Sequence, residues 1–373
     1  MRIVQVSPYY PPHCGGLENV VYNLTRRLRA KGHEVVVVTS KDRGQTGNFD
    51  KGVIRIPISF KMFNTPISLQ LYFALKRING DIIHSHAYPV YFSDVSWQIA
   101  QVKKIPYVIH WHMDPRLEPR YKKKTVKLLV DTYFRIIGNK VLVTADAIIV
   151  PSASMQSLLS ENNSIELERI HVFHSCVNTD TFVPMKKTVN RPVVLFAGRI
   201  SRQKNLASYL KAWPNIVREI PEAELWIVGS CDQPDYLVFC RQLVRYTNNV
   251  KFLGFVPLNK LVDIYAQSDL VVLPSIYEAS PLVALEALAC KRLPICTPTG
   301  NLAQELNGCA VFVDPLDIEG WAKETVKYLT LTKERKNMAH RGYEVIKEKF
   351  RWEFFVTKLI ELYIKLIEER GTK

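Results

Sequence analysis

One stretch of this sequence restricts the possible folds more than any other. It is the run Leu270-Val-Val-Leu-Pro-Ser-Ile-Tyr-Glu-Ala-Ser-Pro-Leu-Val-Ala-Leu-Glu-Ala-Leu-Ala-Cys-Lys-Arg292. Its first four residues, Leu270 to Leu273, are apolar without alternation, as expected of a strand buried on both faces. A turn at Pro274 and Ser275 leads to Glu278. Ser280 and Pro281 then read as the N-cap and first residue of a helix, because a hydroxyl can accept an orphan N–H and proline lacks one. From Leu282 to Cys290 this helix is apolar on nearly every side, Glu286 excepted. Such a strand and buried helix belong to an open α/β sheet, which binds its ligands beyond the carboxyl ends of its strands.

A carboxylate in an apolar helix is costly unless compensated. One reading of Glu286 is a salt bridge to Arg292 or another base. The other is a ligand site: the helix start at Ser280, Pro281, Leu282 and Val283 offers free N–H groups and the positive end of the dipole to a phosphate. A glycosidase pair is disfavoured, since eight helical residues span about 12 Å and paired catalytic carboxylates stand about 5–9.5 Å apart. The spacing suits two acids gripping different ends of a long, hydroxyl-rich ligand.

Elsewhere the same pattern recurs. A strand over residues 2–6 runs into Gly15-Gly16, then a helix over about 17–31 with Val20, Val21, Leu24 and Leu28 on one face, then Gly32 and a strand over 35–39. Strand, glycine loop, helix, strand opens a doubly wound sheet. The segments 81–86 and 106–112 end in His84-Ser-His86 and His110-Trp-His112. On a strand each pair points to one face. That is metal-ligand geometry in some hydrolases, and equally the arrangement of hydrogen-bonded histidines at strand ends. No carboxylate motif accompanies them, and no metal is expected. After a basic linker near 185–191, the strand 193–197 leads into Gly198-Arg199-Ile-Ser-Arg-Gln-Lys204. Two cations at a strand end suit a diphosphate, Arg by forking onto its oxygens and Lys as a point charge, although a solvated basic turn would read the same way. Leu225 to Gly229 and the segment before Gly254-Phe255-Val256 supply further strands.

These motifs resemble the retaining glycosyltransferases of family 4. Glu278 to Glu286 is similar to the family's acid–seven residues–acid motif, and Gly198-Arg199 to Lys204 to its Gly-Arg…Lys motif, and the likeness spans almost the whole chain. The resemblance implies an α/β GT-B fold, two Rossmann-like doubly wound domains facing each other across a cleft. They would be residues 1–187 for the acceptor and 188–349 for the nucleotide sugar, with a helix over 350–373 packing back on the first. It implies that Glu278 contacts the donor sugar and Glu286 the ribose, that His112 lies near the reacting carbon, and that Gly15 and Gly16 lie against the donor phosphates and the acceptor. It sets His86 beside the acceptor, and Gly229 and the Val256 loop beside the nucleotide. The expected reaction is retaining hexosyl transfer from a nucleotide-diphosphate sugar to a glycan or lipid-linked acceptor, with no cofactor. A sugar-nucleotide epimerase, a glycosyl phosphorylase and a non-catalytic carbohydrate-binding subunit are the alternatives on this fold.

Charge and cysteine narrow the setting. The net charge of +15 calls for an acidic partner, and with no recognisable nucleic-acid module a membrane surface or an anionic sugar nucleotide is expected instead of nucleic acid. Between Lys103 and Lys140 stand ten Lys or Arg against three acids. Mixed with Leu128, Leu129 and Ile137, the bases of residues 120–140 suit an amphipathic helix on anionic lipid. The seven cysteines are scattered without a Cys-x-x-Cys pair, which fits a reducing cytoplasm. The start enters a strand directly, so no signal peptide is expected, and no run reaches the roughly 18–20 apolar residues of a membrane span.

Overall fold

A computed structural model describes residues 1–373 except 14, 42–50, 63–64, 87–90, 113–123, 164, 232, 248, 279–280, 300–301 and 373. The chain divides into two compact units: Met1–His174 together with Glu353–Lys373, and Ser175–Trp352.

In the first unit the described strands are β1 (Arg2–Ser7), β2 (Glu34–Lys41), β3 (Val53–Pro57), a small antiparallel hairpin β4 (Phe60–Met62) and β5 (Thr65–Ile67), β6 (Ile82–His86), β7 (Tyr107–His110), β8 (Ala147–Val150) and β9 (Ile170–Val172). All but the hairpin form one parallel sheet in the order β3-β2-β1-β6-β7-β8-β9. Its central strands are buried along almost their whole length, as helices on both faces require, and the polar residues they carry, such as Gln5, His84 and His86, are buried with them. The first helix, Gly16–Ala30, buries Val20, Val21, Leu24 and Leu28 as the periodicity predicts, and Gly32 ends it at φ 83°, a left-handed turn that favours glycine. The helix Trp352–Gly371 belongs here too. Val356, Leu359 and Tyr363 are buried, and Arg370 forks onto Asp146 at 2.9 and 3.0 Å.

The second unit is built from β10 (Val193–Ala197), β11 (Glu224–Val228), β12 (Val250–Gly254), β13 (Leu270–Leu273), β14 (Leu293–Cys296) and β15 (Val311–Phe312). They are parallel and ordered β12-β11-β10-β13-β14-β15. Trp213, Tyr209 and Trp321 fill the core on one face, and Leu285, Leu288 and Ile346 lie among those on the other. Both sheets have the Rossmann order, with the chain reversing direction between β1 and β6 and again between β10 and β13. A ligand site is therefore expected at each of those two points.

The division differs from the sequence expectation of 187/188. Residues 175–191 are tied to the second unit: Val177 N–H donates to the Phe350 carbonyl at 3.0 Å, Phe182 packs edge-on against Tyr265, and Lys187 pairs with Asp269. Gln267 accepts from the amides of Thr188 and Val189 at 2.8 and 3.0 Å. The basic stretch near 185–191 is thus anchored by side chains that lie distant in sequence, and is no free linker.

Candidate active site

In the second unit, three glycines close the carboxyl edge of the sheet. The Gly198 amide bonds to the Val228 carbonyl at 2.9 Å, and the Gly229 amide to the Gly254 carbonyl at 2.9 Å. Gly198 and Gly229 hold φ of 146° and 147°, and a β-carbon on Gly229 would fall 1.8 Å from the Gly198 oxygen. Only glycine permits so close an approach. This contact aims the segment 199–205 across the switch point toward the loop that follows β13. Ile276 N–H donates to the Gln203 carbonyl at 2.9 Å, and Asn205 Nδ2 donates to the carbonyls of Pro274 and Pro315 at 3.0 and 2.9 Å.

Lys204 and Glu278 meet there, Nζ to Oε1 at 2.5 Å, and the same oxygen accepts from Ser275 Oγ at 2.6 Å. Glu278 is buried. A carboxylate so placed needs both partners, since an uncompensated buried charge is strongly unfavourable. Arg199 is exposed just beyond β10. Glu286 does not take the salt bridge to Arg292 that its sequence allows. Arg292 donates to the carbonyls of Met185 and Ala266 at 2.8 and 2.7 Å, while Tyr265 OH donates to Glu286 Oε2 at 2.7 Å. Burial pushes the Glu286 carboxyl up to about 7, the Tyr265 hydrogen bond opposing it. The helix here is Leu282–Ala289, with Pro281 at its cap position, so proline precedes the helix instead of opening it. Ser280 lies outside the described residues. Leu282, Val283 and Val256 are half-buried against the core.

In the first unit, Gly15 caps the helix that begins at Gly16, and the Asn19 amide bonds back to the Gly15 carbonyl at 3.1 Å. His86 closes β6, but β7 stops at His110, which leaves His112 two residues past the strand. The rings stack nonetheless: His110 and His112 centroids are 4.0 Å apart, and His86 Nδ1 is 3.3 Å from His112 Nε2. Burial drives all four imidazoles well below their ordinary range, His112 down to about 3, so they are neutral at physiological pH.

Two family models divide the chain between them. The one described as "Glycosyltransferase Family 4" matches residues 14–181, and the one described as "Glycosyl transferases group 1" matches residues 178–345. The chain is a family 4 glycosyltransferase of GT-B fold. An uncharacterized glycosyltransferase of Methanocaldococcus jannaschii is 28% identical to it over 402 residues, spanning 100% of both chains. Sucrose-phosphate synthase from Thermosynechococcus elongatus superposes with a TM-score of 0.79 at 20% identity, covering 99% of each chain. Anabaena HepE in complex with UDP-glucose superposes at 0.77 and 18% identity, covering 98% of this transferase and 100% of HepE.

Sequence reasoning passes over four residues that build this glycosyltransferase's second-unit site. Tyr265 carries no motif that singles it out in the sequence, and only the fold turns its hydroxyl to Glu286. Ser275 is read only as part of a turn, yet it supports Glu278. Gln203 sits inside a motif noted for its cations and Asn205 follows it directly, taking a left-handed φ of 51°, a conformation that asparagine tolerates better than most residues.

Proposed function

We propose that this transferase moves a hexosyl group from a nucleotide-diphosphate sugar to a glycan or lipid-linked acceptor, with retention and with protein cations in place of a metal at the diphosphate. The observation that carries the reading is the second unit's switch point, where Lys204 pairs with Glu278 a few residues before the helix Leu282–Ala289 and the Gly198–Gly229 approach lies at the edge of the same sheet. Arg199, Lys204 and the N–H groups of Leu282 and Val283 take the charge that develops on the leaving diphosphate. No Asp-x-Asp motif is present to hold a metal there. Glu278 receives the donor sugar, Glu286 with Tyr265 behind it receives the ribose, and Gly229 and Val256 border the nucleotide. By the family resemblance His112 serves the sugar, and His86, Gly15 and Gly16 serve the acceptor. The bond from C1 to the phosphate oxygen breaks, C1 bonds to the acceptor oxygen on the same face, and the acceptor's proton passes to the departing phosphate. The UDP-glucose held by Anabaena HepE supports a donor of this class.

A thermal-shift screen with UDP, GDP and ADP and their common sugars tests the donor. A nucleotide at 100 times its Kd adds about 2.7 kcal/mol of stability. Transfer by the binding donor is then assayed with and without acceptor and with free phosphate, and the product anomer is read by NMR. Turnover requiring free phosphate, or epimerisation without acceptor, would replace this reading with one of its rivals, and a product of inverted configuration would remove retention from it.

The reading includes docking on anionic lipid. The helix Lys124–Tyr133 has no buried residue, and Leu128, Leu129 and Ile136 expose more than half their surface beside Lys124, Lys127, Arg135 and Lys140. Tyr133 OH secures the helix by donating to Asp94 at 2.7 Å. Among the described residues no helix is long and apolar enough to cross a membrane. Each base near an anionic surface contributes about 1 kcal/mol. The transferase should float with vesicles containing phosphatidylglycerol and not with phosphatidylcholine alone, and Leu128→Glu with Ile136→Glu should cut that partition roughly tenfold. Equal flotation of the double variant would exclude this face.

A further inference from the structure

The two His-x-His pairs look separate in the sequence, and neither has a carboxylate beside it. Sheet register changes that, because β6 and β7 pair with His86 opposite His110. His84, His86 and His110 are all buried, and one ring nitrogen from each lies within 4.8 Å of the others. Each ring also keeps one buried nitrogen without a hydrogen-bond partner: Nε2 of His84, Nε2 of His86 and Nδ1 of His110. Three unmatched polar nitrogens on three neighbouring rings are costly for a fold that could have used aliphatic side chains. The opposite nitrogens of two rings are engaged. His84 Nδ1 is 2.5 Å from Tyr363 OH, and His86 Nδ1 is 3.3 Å from His112 Nε2.

We propose that His84, His86 and His110 form a binding site for a borderline-soft divalent metal ion, of the class of Zn2+. Neutral imidazoles in a triad are a recognised zinc set, leaving a fourth position for water, and a site without carboxylates disfavours Mg2+ and Ca2+. Tyr363 occupies the place of the outer partner that orients a ligating histidine through its other nitrogen. The site goes beyond the transfer reading and uses none of the residues assigned to the donor. It has one consequence for His112. A metal on Nε2 of His86 obliges that ring to carry its proton on Nδ1, so His86 donates to His112 Nε2, and His112 must hold its own proton on Nδ1. The metal thereby fixes the tautomer of a ring that could otherwise take either form.

The test uses the full chain stripped with EDTA and then dialysed against ZnCl2 alone, with bound metal measured by plasma mass spectrometry. One equivalent should be retained saturably, and the melting temperature should rise with zinc concentration. His84→Gln and His110→Gln should each lose affinity at least tenfold, whereas exposed His340→Gln should keep it. Tyr363→Phe should weaken binding about tenfold by freeing the His84 ring. Absence of a saturable equivalent, or a folded His84→Gln chain that still binds as the parent does, would overturn the proposal. Should neither histidine variant fold, the Tyr363→Phe chain decides: weakened binding supports the site and unchanged affinity removes it.

Discussion

Lys204→Met is expected to lower kcat by roughly 10²–10³, the usual effect of deleting one group aimed at developing transition-state charge. The change also strands Glu278, which is buried and loses the Lys204 ammonium while keeping the hydrogen bond from Ser275 Oγ. That carries a separate stability loss of about 1–3 kcal/mol. The two effects can be parted. In Lys204→Met with Glu278→Gln the orphaned charge is gone, so the melting temperature should recover while turnover does not. Glu286→Ala should behave differently, raising donor KM with little change in kcat, because a ribose contact is the same in ground and transition states. Steady-state kinetics at varied donor concentration, with denaturation curves on the same samples, check all three. Full turnover in the Lys204 variant would remove this lysine from the phosphate site.

Gly229→Ala should cost about 4 kcal/mol or more, beyond the ordinary range for a point substitution. The new methyl carbon would meet the Gly198 carbonyl oxygen at 1.8 Å, and the obstacle is backbone, which cannot rotate aside. The residue would also have to hold φ 147°, a region that a residue with a β-carbon rarely adopts. Gly254→Ala is the matched control. Its φ is 69°, but nothing lies within 4 Å of the added carbon, so about 1 kcal/mol is expected. Urea unfolding monitored by circular dichroism distinguishes them, and equal midpoints for the two variants would refute the role given to the Gly198–Gly229 contact. Because that contact also sets the direction of the Arg199–Asn205 segment, any Gly229 variant that does fold should bind donor poorly.

How much of this is legible in the sequence depends on how far apart the interacting parts lie. Val193–Ala197 is a continuous apolar run between Pro192 and Gly198, Leu270–Leu273 is one between Asp269 and Pro274, and the strands begin and end where the runs do. The helix of the first unit keeps its predicted buried face for the same local reason. Pro281 departs by one residue, since proline serves as cap and as first helical residue almost equally well. His112 departs because nothing in Tyr-Val-Ile-His-Trp-His tells where strand pairing stops. The Lys204–Glu278 pair, the Tyr265–Glu286 bond and the meeting of His86 with His110 are each brought about by strand order, which no local pattern encodes. The same holds for residues 175–191, whose anchors at Gln267, Asp269 and Phe350 lie far along the chain.

The Trp352–Gly371 helix has a bearing on biosynthesis. Asp146 leaves the ribosome 224 residues before its partner Arg370, an interval of about 10 s or more at elongation rates of ~5–20 residues per second. For that time the nascent first sheet has its β6 and β7 surface bare, with His84 and His110 lacking Tyr363 and Phe355 as neighbours. The whole of the other unit can be made and packed meanwhile. A cell making this enzyme must therefore shelter a half-finished lobe, and a premature stop codon as late as Leu362 would leave that lobe without Tyr363 and without the Arg370–Asp146 pair.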